Sequence, residues 1–421
     1  MLRSLVLDGV GPADKLNFGW LAERLNLVTG DNGLGKSFLL DLSWWALTRT
    51  WPEYPAVPRR PDASIGFVFD GTSGAGAETC PWVPRDQDWK RKPGRPANPG
   101  LVIYARVDGS FSVWDPSKNY RLYRGADGGE QEMLPAYHFK PGQVMEELRT
   151  SDKQVVCRGL IDDWTRWQQS QDPRFAMLTR MLAALSEDPA KPMKAGKPMR
   201  PFLGDVREVP TIEMPYGEEV PVILAAAGMQ RMLNLAYLLT WSFSEHEEAS
   251  KRLGLSLANQ LVLLVDEPET HLHPRWQRVV LPGLLAAVAG WRDPAPRVQV
   301  ITATHSPMVL ASLEPLFDPA LDALWRLDIA GGAVRLEQMT WQKRGDANRW
   351  LTSDVIGLET ATSPQAEAVL RDARRLLRTD SPSPDELRRV NASLLAVLPE
   401  MDPFLVRWRL YVQQHGGEAA R

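Results

Sequence analysis

One stretch of the sequence decides the fold: Gly30-Asp31-Asn32-Gly33-Leu34-Gly35-Lys36-Ser37, which fits the pattern G-x-x-x-x-G-K-[ST]. It follows the apolar run Leu25–Val28 and precedes the helical stretch Phe38–Leu42. In this order of strand, glycine loop and helix, backbone N–H groups and the helix dipole point at phosphate oxygens. The sequence therefore predicts a nucleoside triphosphate site, with Lys36 on the β- and γ-phosphates and the Ser37 hydroxyl on Mg²⁺. The predicted nucleotide contacts in this segment are Asn32, Gly33, Gly35, Lys36, Ser37 and Phe38.

A second candidate site follows the apolar run Leu261–Val265, which has the form of a buried parallel strand. Asp266 and Glu267 come directly after it and are predicted to emerge at the carboxyl edge of the sheet. Asp266 is the candidate Mg²⁺ ligand opposite Ser37. Glu267 is the candidate catalytic residue that orients or deprotonates the water attacking the γ-phosphate.

A third candidate is His305, which lies at the end of the predicted core strand Val298–Thr304. We expect this strand beside the one that ends in Asp266, which favours a catalytic role for His305 as a γ-phosphate sensor. The alternative is a histidine with only a structural role.

These motifs resemble those of ABC-type ATPases of the SMC-like, RecF-like and OLD-like branch. The resemblance is carried by residues 30–37, by Asp266-Glu267-Pro268-Glu269-Thr270-His271-Leu272-His273-Pro274, and by Thr304-His305-Ser306-Pro307. It implies an α/β fold: an ABC-type P-loop NTPase head with a mixed or parallel core sheet, an antiparallel β-lobe, a helical insertion and a helical C-terminal tail. It also implies that the chain binds and hydrolyses ATP with Mg²⁺.

The same resemblance implies a signature motif, usually Ser-x-Gly before a helix. The matching stretch is Ala225–Leu233, with Gly228 as the glycine and Ala226 where serine is expected. In this family two heads sandwich ATP, so the resemblance implies a homodimer or higher homo-oligomer in which Gly228 faces the nucleotide of the other subunit. Because Ala226 lacks a hydroxyl donor, we expect slow hydrolysis. The alternative is that the stretch is only a flexible helix start.

The resemblance assigns residues 1–60 and 205–345 to the head, 61–204 to an inserted β-lobe and helical subdomain, and 346–421 to a helical tail. The insert shows no sustained heptad pattern, so no long coiled coil is expected. Residues 64–70 and 101–114 are predicted as strands of the lobe, with a hairpin turn at Asp108-Gly109. Residues 160–167 and 175–185 are predicted as helices, and one last helix is predicted near 385–412.

Gln143 lies between the predicted lobe strands and the helices. It is the candidate for the glutamine that ABC heads place on Mg²⁺ and the attacking water. A surface glutamine in a loop is an equal alternative, because no distinctive motif flanks it.

The composition predicts a cytoplasmic protein. The 421 residues contain 49 Lys and Arg against 52 Asp and Glu, so any nucleic-acid contact must be a local patch. Cys80 and Cys157 are too few for a disulfide framework, and no signal peptide or membrane span is expected. The segment Ser242–Leu255 is predicted to be a loop, and His246, among acidic residues, is predicted to lie on a solvated helix face rather than in a metal site.

One basic run, Trp89-Lys90-Arg91-Lys92-Pro93-Gly94-Arg95-Pro96, resembles an AT-hook, which binds the minor groove of duplex DNA. A solvated proline-rich loop is the favoured alternative.

Two functions are compatible with these features. The first is a nucleotide-gated sensor and scaffold resembling the stand-alone ATPase subunits of antiphage systems such as Septu or PARIS, with a separately encoded nuclease, because the tail is too short for a Toprim domain. The second is a RecF-like or SMC-like ATPase that binds duplex DNA in repair or processing.

Overall fold

The computed structural model describes residues 1–415 apart from 72–73, 93–96, 121–122, 125–129, 132–134, 151–152, 293 and 380–381. The basic run of the AT-hook resemblance lies partly outside the described residues, since its Pro-Gly-Arg-Pro core is 93–96. Two compact units are formed, Met1–Ala347 and Asn348–Arg421. In the described part of the chain, no helix has the length and apolar character needed to cross a bilayer.

Every strand found among the described residues lies in the first unit. They are β1 (Leu2–Asp8), β2 (Lys15–Gly19), β3 (Leu25–Gly30), β4 (Ser64–Gly71), β5 (Gly74–Val83), β6 (Asp88–Trp89), β7 (Leu101–Ala105), β8 (Phe111–Trp114), β9 (Tyr123–Arg124), β10 (Glu130–Gln131), β11 (Tyr137–Phe139), β12 (Leu148–Arg149), β13 (Val155–Cys157), β14 (Lys194–Ala195), β15 (Thr211–Glu213), β16 (Glu219–Pro221), β17 (Gln260–Asp266), β18 (Arg297–Ala303), β19 (Asp322–Ala330) and β20 (Ala333–Met339).

The helices alternate with these strands and then make up the second unit. They are α1 (Lys36–Thr48), α2 (Pro141–Met145), α3 (Gly159–Gln169), α4 (Pro173–Ala184), α5 (Ala227–Leu253), α6 (Pro274–Gln277), α7 (Val280–Ala289), α8 (Pro307–Leu313), α9 (Ala347–Leu351), α10 (Pro364–Leu376), α11 (Pro384–Val397) and α12 (Pro403–His415). A short 3-10 turn, Val222–Leu224, precedes α5.

The central sheet has eight strands in the order β11-β8-β7-β17-β18-β3-β19-β20. The five from β7 to β19 are mutually parallel. Within it, Asp266 pairs with Ala303 and Ala303 pairs with Val28. The sequence predicts one strand before the glycine loop, one before Asp266 and one before His305. These three strands are confirmed as consecutive in the sheet, and their carboxyl ends meet at one edge.

The expectation that residues 101–114 belong to the antiparallel lobe is wrong. β7 instead lies beside β17 in the central sheet, and all five of its residues are buried. A run that is apolar at every position is typical of a strand covered on both faces. The hairpin turn at Asp108-Gly109 is confirmed, because β8 returns antiparallel to β7 and Gly109 has φ +83°.

The antiparallel lobe is a second sheet in the order β2-β1-β4-β5-β6. It includes the first strand of the chain, which the predicted boundaries place in the head. α1 shares one apolar core with this sheet and the central sheet, through residues such as Trp44, Trp45, Phe67 and Val262. Because α1 is apolar around most of its circumference, it suits a position between two sheets.

The predicted loop Ser242–Leu255 is wrong, because α5 runs on to Leu253. His246 is fully buried rather than solvated. Its Nδ1 lies 2.8 Å from Asp115 Oδ1, and its Nε2 accepts a hydrogen bond of 2.9 Å from the backbone N–H of Ala258. His246 thus connects the end of α5 to the turn after β8 and to the segment before β17.

The second unit contains α10, α11 and α12, which share an apolar core that includes Leu370, Leu387 and Trp408. The prediction of a single last helix near 385–412 is wrong. The chain turns between Val397 and Pro403 and forms two helices, α11 and α12. Proline suits the first turn of a helix and breaks a helix interior, so Pro403 starts a new helix.

Candidate functional site

The glycine loop between β3 and α1 has the backbone of an anion-binding loop. Gly30, with φ +139°, lies so close to the next strand that a Cβ would be 2.4 Å from the Leu327 carbonyl oxygen. Gly35 has φ +96°, and a Cβ there would be 2.9 Å from Pro12 Cγ. Both positions require glycine, since other residues rarely adopt these angles. Asn32 and Gly33 lie exposed at the loop surface.

Lys36 lies inside this loop. Its side chain is buried, and Nζ donates to the carbonyl oxygens of Gly30 at 2.8 Å and Asp31 at 3.1 Å. These two bonds hold the ammonium where the loop N–H groups converge, so a phosphate bound there would meet a charged donor already in position.

Besides burial, the nearby Ser37 hydroxyl acts on the pKa of the Asp266 carboxyl and lowers it, which places the two candidate Mg²⁺ ligands beside each other. Asp266 is 1% exposed, and its Oδ1 has no hydrogen-bond partner within the described residues. Burial raises the Asp266 pKa to about 6, with a further contribution from Glu267. A hydroxyl beside an unpartnered buried carboxylate oxygen fits a hard divalent cation.

No group of three or more His, Cys, Asp or Glu side chains among the described residues could hold a metal by itself. At a nucleotide site, phosphates and water supply most of the ligands of Mg²⁺. Ser37 and Asp266 would hold that ion.

Glu267 and His305 form the next part of the site. Glu267 Oε1 lies 3.3 Å from His305 Nδ1, and Glu267 Oε2 accepts a 3.4 Å hydrogen bond from Thr270 Oγ1. Glu267 has φ +44°, an uncommon angle for a non-glycine residue that turns its side chain out of the line of β17. The imidazole is half exposed, so it can contact a ligand.

Glu269 was not singled out from the sequence, although it lies within the Asp266–Pro274 motif. It is 5% exposed, and Oε1 accepts hydrogen bonds from Thr304 Oγ1 at 2.7 Å and from the N–H groups of His305 and Ser306 at 3.0 and 3.1 Å. This carboxylate therefore fixes the segment that carries His305. The signal in the sequence was a second carboxylate, two residues beyond Glu267 and inside the same motif.

Arg231 was also missed. It lies in the first turns of α5, and its guanidinium donates to the carbonyl oxygens of Val107 at 2.8 Å, Glu267 at 3.1 Å and Asp266 at 3.3 Å. Burial lowers the Arg231 pKa. Arg231 thereby connects the start of α5 to the strand end that carries the candidate Mg²⁺ ligand Asp266 and the candidate catalytic residue Glu267.

Gly228 lies against the loop after Asp266 within the same chain. A Cβ on Gly228 would be 2.6 Å from the His271 carbonyl oxygen, so only glycine allows this approach. Ala226 is the N-cap residue of α5 and makes no side-chain cap. The first N–H groups of α5 consequently have no hydroxyl partner from the cap.

Two side chains that were predicted to contact the nucleotide, Gln143 and Phe38, contact nearby residues of the chain instead. Gln143 lies in the first turn of α2, and its Oε1 accepts a 2.9 Å hydrogen bond from the Lys140 N–H. β11 and β7 each pair antiparallel with β8, so β11 runs parallel to β7. Gln143 therefore follows a strand that ends at the same sheet edge as the candidate site. Phe38 packs under the turn between β1 and β2, where a Cβ on Gly11 would be 2.3 Å from Phe38 Cε1.

The parallel central sheet, the glycine loop with Lys36 and Ser37, and the acidic strand end at Asp266 and Glu267 define the class of this chain. It has the α/β fold of an ABC-type P-loop NTPase head.

Known proteins are similar to parts of this chain. The family described as "AAA domain, putative AbiEii toxin, Type IV TA system" matches residues 148–311. The "Retron Vc95 probable ATPase" of Vibrio cholerae serotype O1 biovar El Tor is 25% identical over 231 residues, which cover 49% of this chain and 39% of that protein. The chain thus matches well under half of that relative's length.

Solved SMC heads are similar over about four-fifths of the chain. The SMC head domain from Thermotoga maritima has a TM-score of 0.39 at 14% identity, covering 81% of this chain and 99% of that one. An Smc head bound to the C-winged helix domain of ScpA has a TM-score of 0.42 at 13% identity, with coverage of 81% and 98%.

Proposed function

We propose that this chain binds and slowly hydrolyses Mg²⁺-ATP and acts as a nucleotide-gated sensor and scaffold subunit. The observation that carries the proposal is the meeting of three elements at one sheet edge. These are Lys36 in its loop, the Ser37–Asp266 pair, and the Glu267–His305 pair.

Each side chain has a distinct part in the proposed hydrolysis. Lys36 exchanges its bonds to loop carbonyls for bonds to the β- and γ-phosphates. Glu267 accepts the proton of the attacking water, while His305 contacts the γ-phosphate from the neighbouring strand end. Mg²⁺, held by Ser37 and Asp266, would neutralise charge on the phosphates.

The ATP site is proposed to close on a second copy of the chain. α5 begins at Ala227 with no side-chain cap, so its first N–H groups are available to the γ-phosphate of the other subunit. Because Ala226 supplies no hydroxyl, this cap has one donor fewer than a Ser-x-Gly signature. Slow turnover and a long-lived closed dimer suit a switch better than a motor.

The partner is proposed to be a separately encoded nuclease of an antiphage system in the bacterial cytoplasm. Similarity to a retron ATPase supports the defence setting.

The test is to purify the protein with the products of neighbouring genes and to measure ATP hydrolysis and subunit number with and without Mg²⁺-ATP. Slow hydrolysis, an ATP-dependent increase in mass and copurification of a nuclease support the proposal. Absence of ATP binding contradicts it.

A DNA-binding ATPase of RecF or SMC type is the second candidate, favoured by the exposed basic residues Lys90, Arg91 and Lys92. It predicts salt-sensitive binding of duplex DNA that requires ATP and needs no other protein.

A further inference from the structure

The first turns of α5 carry two residues with different surroundings, Gly228 and Arg231. They are three positions apart, so they are neighbours on one helix and move together with it. The proposed function places the Gly228 end of α5 against the ATP of a second copy. The Arg231 side chain instead binds the strand ends of its own chain. The start of α5 therefore belongs to both ATP sites of the proposed dimer.

The Arg231 guanidinium joins α5 to two neighbouring strand ends. It donates to the carbonyl oxygens of Val107 at 2.8 Å, Glu267 at 3.1 Å and Asp266 at 3.3 Å. Val107 follows β7, and β7 pairs with β17, which ends at Asp266. A guanidinium is a planar fork with fixed donor directions, so it transmits a shift of the helix more directly than a flexible ammonium does.

The Glu267 peptide is the part of this contact that matters for catalysis. Its φ of +44° is uncommon for a residue with a side chain and persists only where the surroundings hold it. The Glu267 N–H donates to the Ala303 carbonyl oxygen at 2.9 Å. The Glu267 carbonyl oxygen accepts from the Thr270 N–H at 3.0 Å and from Arg231. Of these three partners, Arg231 is the one that comes from α5, so movement of α5 acts on the backbone that orients the candidate base.

A cavity of about 210 Å³ lies beside Arg231, between the start of α5 and the strand ends. Its lining includes Ala227 and Asn234 of α5, Phe111 of β8 and Val265 of β17. Asn234 Oδ1 is buried and has no hydrogen-bond partner in the part of the chain that the structure describes. Protein interiors are normally close-packed, so this unfilled space gives the start of α5 room to shift. The Arg231 hydrogen bonds connect the helix to the strand ends beside this space.

We propose that Arg231 is a positioning residue that makes hydrolysis in one subunit depend on the docking of that subunit's own α5 on the ATP of a second copy. When α5 docks, its first turns move together, and Arg231 carries the movement to the Glu267 peptide. The two ATP sites of the dimer then hydrolyse together rather than independently. This role rests on the proposed dimer and adds regulation to the same ATP site.

The first test measures ATP turnover per subunit while the protein concentration is raised through the range in which Mg²⁺-ATP drives dimerisation, followed by light scattering. Wild-type turnover per subunit is expected to rise about tenfold, a usual size for coupled sites. Arg231→Met has an unbranched apolar side chain without donors. It should bind ATP and dimerise as the wild type does, while its turnover rises less than about twofold.

Two further variants complete this test. Arg231→Lys keeps the charge but not the fork, so its rise should lie between those of Arg231→Met and the wild type, and it decides the same question if Arg231→Met does not fold. Asn234→Ala is the matched control, because Asn234 lines the same cavity from the same helix and its Oδ1 makes no hydrogen bond among the described residues. Its dimerisation and turnover should equal those of the wild type.

Mixed dimers show on which of the two ATP sites Arg231 acts. Glu267→Gln is expected to retain ATP in closed dimers without turnover, so in excess it pairs with each active subunit. Arg231→Met subunits should stay slow in this mixture, because their own Glu267 lacks the connection to α5. Wild-type subunits in an excess of the double variant Glu267→Gln/Arg231→Met should keep the turnover that they have in an excess of Glu267→Gln.

The proposal is supported if Arg231→Met dimerises, loses the rise in turnover and stays slow in the mixed dimers. It is overturned by a wild-type rise in Arg231→Met or Arg231→Lys, by loss of dimerisation in Arg231→Met, or by recovery of its turnover in the mixture. Turnover lowered by one factor at every protein concentration also overturns it, as does wild-type turnover that does not change on dimerisation. Failure of the proposed function is a different result, namely a wild-type protein that binds no ATP.

Discussion

Glu269 and Thr304 lie on two neighbouring strand ends, and their side chains are joined by a 2.7 Å hydrogen bond from the Thr304 hydroxyl to the Glu269 carboxylate. The same carboxylate oxygen accepts the N–H groups of His305 and Ser306. The segment carrying the candidate phosphate sensor is therefore fixed by a carboxylate that follows the candidate catalytic glutamate by two residues.

This relationship predicts that Glu269→Ala lowers kcat about tenfold, because His305 loses its fixed backbone. Glu269→Gln keeps an acceptor oxygen and should restore most of the activity. The measurement is ATP turnover in a double-mutant cycle with His305→Ala. If Glu269 acts by positioning His305, its effect on kcat disappears in the His305→Ala background. An undiminished effect there would show that Glu269 acts elsewhere.

Gly228→Ala is predicted to abolish most ATP-dependent dimerisation. A Cβ at this position would be 2.6 Å from the His271 carbonyl oxygen, so the start of α5 must shift away from the loop after Asp266. The measurement is light scattering with Mg²⁺-ATP in the Glu267→Gln background. Gly204→Ala is the control, because nothing lies within 4 Å of the added methyl group. Normal dimerisation of Gly228→Ala would exclude α5 from the interface.

Asp163→Asn is predicted to stabilise the protein at neutral pH. Burial raises the Asp163 pKa to about 6, so the folded state takes up a proton more readily than the unfolded state, whose carboxyl has the ordinary value of 3.8. Stability therefore falls as pH rises from about 4 to about 6, and above this range the ionised carboxylate costs about 3 kcal/mol.

Thermal unfolding from pH 4 to pH 8 checks this. Asparagine can still accept the 2.8 Å hydrogen bond from the Tyr237 hydroxyl, so the gain in Tm should be largest above pH 6 and vanish near pH 4. Asp162→Asn, at an exposed neighbouring position, should show no such dependence. A pH-independent difference for Asp163→Asn would contradict the assigned pKa.

His246→Leu is predicted to destabilise the first unit by about 3 kcal/mol, because it leaves the buried Asp115 carboxylate and the Ala258 N–H without their partner. Chemical denaturation measures the difference. His273→Leu is the comparison: that side chain is 66% exposed and caps the short helix α6 through the Arg275 N–H, so its loss should cost only about 1 kcal/mol. A loss below about 1 kcal/mol for His246→Leu would show that the connection is not structural.

The candidate site at the carboxyl edge of the central sheet could be predicted from the sequence, because each of its motifs is local. Each motif predicts its own local structure. The motifs are a glycine loop, an apolar strand that ends in two carboxylates, and a second strand that ends in histidine. Parallel neighbours then bring Lys36, Asp266 and His305 to one edge. Local motifs do not specify which side chains hold this sheet edge in place. Glu269 and Arg231 have this role, and for that reason the sequence did not predict them.

Two predictions are wrong for different reasons. The position of residues 101–105 depends on pairing with distant parts of the chain, and the burial of His246 depends on a helical pattern that was not recognised. Whether Leu101–Ala105 pairs in the lobe or beside β17 depends on residues far along the chain. His246 could have been recognised as buried, because it follows Phe243 by three residues and precedes Ser250 by four, one face of a helix. The acidic residues on either side of it concealed this pattern.

Glu267 is proposed to serve as the base at an ATP site formed by Lys36, Ser37 and Asp266. This role is tested by measuring Mg²⁺-ATP turnover and ATP binding of the wild type, Glu267→Gln and Lys36→Ala. Glu267→Gln should lower turnover at least about 100-fold while retaining ATP in a closed dimer, and Lys36→Ala should weaken ATP binding itself. Wild-type turnover by Glu267→Gln would contradict the account.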